Sequence, residues 1–239
     1  MLLQVAHPLV AAGVADHSEF HRDLWKRLAR TLRALYLITF GTKQEADFAG
    51  AAVQAVHEHV HGVTLEPLGR FPAGTPYAAA DPELMLWVHA TLVDASLAAY
   101  QRFHEPLSPE EQERYYDEMA LVARIFGTPA SVIPRRLSDF RDYFSSCVDG
   151  DTIEVTRPAR EIAGVILDAP LPLALQALGP AHRLATAVQL PPRLRSEYGL
   201  RWTPAHAVAL RLVARTVRLT ARPALRAAAW LRPPTAEAA

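Results

Sequence analysis

The sequence predicts an all-α protein. Alternating runs of Val, Ile and Thr bounded by turn residues are nearly missing, and 150–156 (GDTIEVT) is the one fair strand candidate. Apolar residues instead recur with helical spacing along most of the chain, and residues typical of helix starts and ends stand at the boundaries. With 239 residues, half of them apolar, the chain can bury a sizeable core. No repeat or low-complexity linker divides it, so we expect a single domain over 1–239.

The predicted helix boundaries rest on residues that typically start or end helices. Residues 23–41 carry a leucine stripe and end at Gly41, and residues 43–62 end at Gly62, a common helix stop. Asp81 before Pro82, and Ser108 before Pro109, are typical of a helix N-cap followed by the first helical position. The segment 62–82, rich in Gly and Pro, is predicted to be a loop. We expect helices over 1–15, 23–41, 43–62, 81–104, 108–127, 138–147, 157–168, 171–189 and from Thr203 to about Leu231.

The first segment, MLLQVAHPLVAAGVA, is apolar and needs comparison with targeting signals. It has no basic start, is interrupted by His7 and Pro8, and is shorter than the roughly 18 apolar residues of a membrane helix. We therefore expect a core helix and no stable membrane span. The single cysteine, Cys147, cannot build a disulfide framework or a cysteine metal site, which favours a reducing, cytoplasmic setting.

The charges are balanced, with 25 basic and 25 acidic residues. This balance argues against a general nucleic-acid binder, which would normally be basic. The last predicted helix carries an arginine stripe, which is more often a solvated face than a contact for an acidic lipid surface. A weak membrane-surface contact is the alternative that the stripe leaves open. The stripe consists of Arg211, Arg215, Arg218 and Arg222.

Residues 57–61 spell H-E-x-x-H, the zinc-protease motif in which two histidines one helical turn apart bind the ion. Glu58 would be the base, and a third ligand is needed, for which Glu83 is the acid at a suitable sequence distance. Three features count against zinc: Gly62 follows at once, the third ligand is unclear, and His57 lies on a more apolar face than Glu58. No G-x-S-x-G, P-loop or G-x-G-x-x-G is present.

Polar residues on other helices suggest a different site. Arg27, Arg30 and Thr31 share one helix face beside the leucine stripe, where they are either solvated or meet a polar or anionic group. His89 lies within LWVHATL and is predicted to be buried. Neutral imidazole is a good axial ligand for haem iron, and nearby arginine and threonine can shape the other side of the haem or bind its propionates. A histidine hydrogen-bonded in the core remains the simpler interpretation of His57.

Six segments taken together resemble one family, the haem-dependent MpaB and rubber-oxygenase catalytic-domain family, which includes latex-clearing protein. None of the segments is specific alone, but their order and coverage are. They are 2–18 (LLQVAHPLVAAGVADHS), 27–32 (RLARTL), 57–62 (HEHVHG), 77–95 (YAAADPELMLWVHATLVDA), 106–119 (PLSPEEQERYYDEM) and 190–202 (LPPRLRSEYGLRW).

The resemblance implies an all-helical fold with a distant globin-like core around one b-type haem. It implies His57 as the iron ligand and Arg27, Arg30 and Thr31 on the opposite side of the haem, as catalytic residues. Arg27 and Thr31 would also contact the cofactor. His7 and His89 belong to shared motifs and are further cofactor-binding candidates, whereas His61 has a secondary role. The activity implied is a haem b oxidase or oxygenase acting on a small, apolar metabolite and O2.

The chain departs from the rubber oxygenases at one position. The region around Ala11 and Ala12 holds no acid where those enzymes have a glutamate base, which argues against cleavage of polyisoprene. A haem-binding sensor or carrier without turnover, a zinc hydrolase using 57–61 and a purely structural helical domain therefore remain as alternatives. The sequence carries no signal of oligomeric state.

Overall fold

A computed structural model describes residues 1–17, 24–168, 176 and 179–230, and side chains throughout these ranges except 24–27 and 221–230. Over the described residues the protein is all-α, as the sequence predicts, with one small two-stranded sheet. The helices are α1 (Leu2–Val5), α2 (Pro8–His17), α3 (Leu24–Phe40), α4 (Lys43–Glu58), α5 (Pro82–Phe103), α6 (Pro109–Ile125), α7 (Leu137–Asp149), α8 (Arg157–Leu167), α9 (Gly179–Val188), α10 (Pro192–Glu197) and α11 (Pro204–Trp230). The strands are β1 (His61–Val63) and β2 (Pro76–Ala78).

The predicted helix starts at Asp81 and Ser108 are confirmed. The Asp81 carboxylate accepts from the backbone N–H groups of Glu83 (2.8 Å) and Leu84 (3.3 Å), which would otherwise lack partners in the first turn of α5. Ser108 forms a reciprocal capping box with Glu111 at the start of α6. These caps explain why α5 and α6 begin one residue after a polar side chain, with proline in the first turn.

The segment 150–156 forms no strand, although its apolar residues alternate. Ile153 and Val155 are buried and Glu154 is exposed, so the alternation reflects one side packed on the core. The neighbouring backbone is bonded elsewhere: Glu154 N–H donates to the Ala6 carbonyl (2.9 Å), and Val155 N–H donates to the Glu197 carboxylate (3.0 Å). The strand candidate is therefore wrong, and its alternating pattern reflects burial of one side only. The short helix α10, from which Glu197 comes, was not predicted.

The first segment packs in the core, as expected, but as two helices rather than one. Leu2, Leu3 and Val5 are buried in one cluster with Trp87 of α5 and Ile153. The break falls at Ala6 and His7, directly before Pro8. Of the predicted helix over 171–189, α9 is seen, while 171–175, 177 and 178 lie outside the described residues. Within the ranges described, no helix combines the length and apolar composition needed to cross a bilayer.

Helices α3 and α4 form a helical hairpin. They are joined by the short turn Gly41–Thr42 and pack along each other, so they run antiparallel. Thr42 and Glu45 form a capping box that starts α4 immediately after the turn. The middle of α4 packs on the end of α6, where Gly50 allows close approach: a Cβ there would lie 2.6 Å from Ile125 Cγ2. This packing orients the face of α4 that carries His57.

Candidate functional site

His57 lies in the last turn of α4, on the face that packs on α6. Gly50 and Gln54 precede it by seven and three residues, hence on the same face, and the Gln54 amide donates to the Ile125 carbonyl (2.8 Å). The His57 side chain is half-buried, and its Nδ1 is buried with no hydrogen-bond partner from the side chains and backbone described. Burial lowers the pKa of His57 below its usual value, because the charged form loses solvation. The imidazole is therefore neutral at pH 7, the form that binds metals.

The chain leaves α4 directly into the β-hairpin, defined here as β1, β2 and the loop between them. Antiparallel pairing sets His61 opposite Ala78, Gly62 opposite Tyr77 and Val63 opposite Pro76. Gly62 is required by this pairing, because a Cβ there would lie 2.6 Å from the Tyr77 hydroxyl oxygen. Residues 57–62 (HEHVHG) have the pattern H-x-x-V-x-G, and its glycine makes room for a tyrosine rather than ending a helix.

Tyr77 links the β-hairpin to α2. Its hydroxyl donates to the Asp16 carboxylate (2.5 Å), and its ring packs edge-on against the His17 ring. The valine of the pattern, Val60, lies near α2 as well, with its Cγ1 3.6 Å from the Cβ position of Gly13. The last turn of α4 is therefore held from two sides, by α6 and by α2 together with the hairpin. The sequence analysis missed Tyr77 and Asp16, although Tyr77 opens the YAAADP segment.

The zinc-protease geometry is absent, which corrects the expectation of a helix over 43–62. Helix α4 ends at Glu58, and His61 lies in β1, exposed, so His57 and His61 are not one helical turn apart. The His61 carbonyl, not its ring, makes a contact, accepting from His17 Nε2 (3.0 Å). The helix ends early because Val60, Gly62 and Val63 are engaged by α2 and the hairpin, and these tertiary contacts override the helical pattern.

No third ligand meets these histidines. Across 1–17, 24–168 and the later described ranges, no three His, Cys, Asp or Glu side chains are grouped to hold a metal ion. Glu83, the predicted third ligand, is exposed in the first turn of α5. A zinc hydrolase built on three protein ligands is therefore not supported within the part of the chain described.

The three predicted residues of α3 lie toward the same end of the helical hairpin as His57. The backbone of Arg27 belongs to α3, and its side chain lies outside the described residues; Arg30 and Thr31 are exposed. Arg27 and His57 are almost equally many residues from the Gly41–Thr42 turn. Because the two helices run antiparallel from that turn, the two residues lie within about one residue of each other along the helical hairpin. Both are about 20 Å from the turn at 1.5 Å per residue.

Apolar side chains are exposed on this part of the helical hairpin. Leu28 and Leu32 of α3 are 39% and 55% exposed, and Val56 of α4 is 61% exposed. Leu28 lies near the level of Val56 by the same pairing. The leucine stripe of α3 is thus partly on the surface, close to Arg30 and Thr31.

His7 is buried and has a structural partner. Its Nδ1 accepts from the backbone N–H of Leu9 (3.2 Å), so the imidazole acts as a cap at the start of α2. Its ring packs on Phe71 of the β-hairpin, with centroids 5.6 Å apart. Burial lowers the pKa of His7 to about 4, Asp81 opposing this shift and Arg70 adding to it. The cap explains why this histidine precedes Pro8.

His89 is buried as predicted, but neither ring nitrogen has a hydrogen-bond partner among the described residues. It lies in the middle of α5, and burial lowers its pKa to about 4. Leaving a buried polar group unpaired costs roughly 1–3 kcal/mol. Asp94, also on α5, is a partly buried acid that the sequence analysis missed, and burial raises its pKa.

Fold and site together define a class: an all-helical protein with two buried neutral imidazoles, His7 and His89, and with a half-buried neutral imidazole toward the same end of one helical hairpin as exposed arginine, threonine and leucine side chains. The chain belongs to the family described as ER-bound oxygenase mpaB/B'/rubber oxygenase, catalytic domain, which matches residues 1–219. It is therefore an oxygenase-type catalytic domain, as the sequence resemblance predicts.

Two mycobacterial proteins are similar over most of the chain. Uncharacterized protein Mb2261 of Mycobacterium bovis and uncharacterized protein Rv2237 of Mycobacterium tuberculosis are each 28% identical over 211 residues. The alignment covers 86% of this chain and 79% of either relative. No solved structure has a significant match.

Proposed function

We propose that this protein is a haem b-dependent oxidase or oxygenase that acts on a small, apolar molecule and O2. Membership of an oxygenase catalytic-domain family over residues 1–219 carries the proposal. The cofactor, the substrate class and the residues assigned below are the parts of the proposal that experiment has to test. We further propose that 1–239 acts as one catalytic domain in the cytoplasm, with a distant globin-like arrangement around the haem.

The donor chemistry at the end of the α3–α4 hairpin fits a haem. His57 is neutral, and its Nδ1 is buried without a partner, so the ring is not committed to a structural hydrogen bond within the described residues. Leu28, Leu32 and Val56 offer apolar surface at the same end, which suits the apolar faces of a porphyrin. These features support His57 as the iron ligand.

The surrounding residues then have distinct tasks. Arg27 and Arg30 carry fixed positive charge that can pair with propionate groups or orient a polar part of the substrate. The Thr31 hydroxyl can donate or accept one hydrogen bond beside them. His89 supplies a second neutral imidazole on α5 that can serve the cofactor, whereas His7 acts through the position of α2, because its Nδ1 is bonded to Leu9. Haem, when bound, supplies the oxygen chemistry.

The test compares two histidines two residues apart. We expect His57→Ala, purified after expression with haem precursor, to lose the Soret band, whereas His59→Ala keeps it. His59 is a matched control because it is exposed and its Nδ1 already donates to the Ala55 carbonyl (2.7 Å). His57→Gln, which keeps more of the side-chain volume, is measured beside His57→Ala, and circular dichroism checks that both fold.

Equal haem content in His57→Ala and the parent protein would contradict the ligand assignment. A parent protein without any Soret band would overturn the haem proposal itself.

A haem-binding sensor or carrier without turnover is the second candidate. One observation favours it: Ala11 and Ala12 are buried in α2, where the rubber oxygenases resembled here have an acid. An oxygen electrode separates the two candidates, since an oxygenase consumes O2 with an apolar substrate and a carrier does not.

A further inference from the structure

A pocket lies between the end of α5 and the middle of α11, and its lining includes none of the candidate site residues His7, His57 and His89. Its volume is about 470 Å³, within the roughly 300–1,000 Å³ of small-molecule sites. Its described lining consists of Arg102 of α5 with Leu210, Arg211, Ala214, Arg215 and Arg218 of α11. We call this the arginine pocket. Four of these six side chains are cationic, and none is a carboxylate.

One of the four arginines holds the pocket together. Arg218 donates from Nη2 to the carbonyl oxygens of Gln101 (3.1 Å) and Arg102 (2.8 Å), at the end of α5. Carbonyl groups in the last turn of a helix have no partner within the helix, and a guanidinium is a suitable donor for them. This contact fixes α11 on α5 and brings Arg102 beside Arg211 and Arg215.

The other three arginines form no ion pair within the described part of the chain. Several arginines elsewhere on the surface do contact carboxylates, at 2.5–3.3 Å. Those pairs are Arg70–Asp151, Arg157–Glu66, Arg183–Asp168 and Arg193–Glu197. Guanidinium groups gathered without a counter-charge repel one another, and a bound anion removes that repulsion.

The rest of the pocket lining is apolar. Leu210 and Ala214 are buried, at 7% and 8% exposure, between the arginines on α11. Val208 and Leu212, on the same helix, are exposed at 46% and 61%. A ligand that suits both parts has an anionic head and an aliphatic portion. Phosphate suits the head best, because its several oxygens can accept from more than one guanidinium fork.

We propose that the arginine pocket binds a phosphate-bearing amphiphile, with the phosphate held by Arg102, Arg211 and Arg215 and the aliphatic part against Leu210 and Ala214. Such a group can come from a soluble phosphate ester or from the headgroup of an anionic lipid. The site does not depend on haem or on the histidines, so it can be tested separately from the proposed activity.

The experiment uses the full chain at low ionic strength, where exposed charges are least screened. Isothermal titration calorimetry measures hexyl phosphate, inorganic phosphate and hexanol, and cosedimentation measures vesicles of phosphatidylcholine with and without phosphatidic acid. The variant is Arg211→Gln with Arg215→Gln. The control is Arg114→Gln with Arg135→Gln, which removes the same charge from exposed positions on α6 and in the loop after it.

We expect hexyl phosphate to bind more tightly than inorganic phosphate or hexanol, and the pocket variant to weaken it about tenfold or more through lost charge-assisted hydrogen bonds. The control keeps its affinity. If vesicles with phosphatidic acid bind and the soluble ester does not, with the same dependence on Arg211 and Arg215, the proposal stands and the source is a lipid headgroup.

The proposal would be overturned if neither hexyl phosphate nor vesicles with phosphatidic acid bind. It would also be overturned if the pocket variant and the control variant lose affinity equally. Melting temperatures of the two variants are compared with the parent to confirm that each is folded.

Discussion

His7 and His89 are buried to the same extent, at 6% and 5% exposure, and in both burial lowers the pKa to about 4. Their hydrogen bonding differs. His7 Nδ1 accepts from Leu9 at the start of α2, whereas both nitrogens of His89 lack a partner in the part of the chain that the structure describes. Burial alone therefore does not distinguish a structural histidine from one with free chemistry, but the hydrogen-bond partner does.

The difference follows from where each histidine lies. The start of a helix offers unpaired N–H groups, and His7 accepts from one of them. The middle of a helix offers none, because its backbone groups are already bonded within α5. No neighbouring backbone group on α5 can therefore form a hydrogen bond with the His89 ring. Both residues were predicted to bind the cofactor; His7 has a structural role as a helix cap, whereas the role of His89 stays a prediction.

The largest expected effect is a loss of stability in acid. Both histidines have a folded pKa near 4, below the unfolded value of 6.5. The unfolded state therefore binds more protons in this window, and stability falls as pH drops from about 6.5 to about 4. Between pH 7 and pH 5 we expect a loss on the order of 2 kcal/mol from each histidine, measured by urea unfolding.

The control for the acid effect is the single variant His89→Leu, which removes one of the two groups. It is expected to reduce the pH dependence by about half on the same linkage argument. A urea midpoint that does not change between pH 7 and pH 5 in the parent protein would show that these imidazoles are not held neutral.

The second effect is on the structural histidine. His7→Ala removes the cap of α2 and leaves a cavity beside Phe71, so we expect a loss of about 3 kcal/mol in unfolding free energy at pH 7. His7→Asn is the matched comparison, because asparagine is itself a strong cap, and it should recover part of that loss. Equal stabilities for the two variants would argue that the contact with Leu9 contributes nothing.

The smallest effect is expected at the histidine without partners. His89→Leu replaces an unpaired polar ring by an apolar side chain of similar size, so we expect its stability at pH 7 to stay within about 1 kcal/mol of the parent. Thermal unfolding at pH 7 measures this. A loss as large as that of His7→Ala would mean that His89 has a stabilising partner after all, and the contrast between the two residues would fail.

Much of the fold could be predicted from local signals. Asp81 and Ser108 start their helices because their side chains accept from backbone N–H groups three residues away or less. Such contacts can be predicted because both partners lie close together in the sequence. The buried Leu2 and Trp87 likewise lie in segments whose apolar residues recur with helical spacing.

The end of α4 could not be predicted in this way. Gly62 was interpreted as a helix stop, yet its role depends on Tyr77, which lies fifteen residues later and packs where a Cβ would be. Such a long-range contact leaves no periodic signal. For the same reason the HExxH spelling was misleading: it assumed a helix whose last turn the β-hairpin had replaced. The site residues of α3 and α4 were chosen by resemblance, and their chemistry stays a prediction.

The β-hairpin also determines how the α3–α4 pair can move. Val60 and Gly62 are fixed against α2 and Tyr77, while Gly50 and Gln54 hold the middle of α4 against Ile125. The Gly41–Thr42 turn is the end farthest from these attachments. We therefore expect thermal motion of the helix pair to be smaller near His57 than at the turn. The His57 ring would then keep its position while the turn moves.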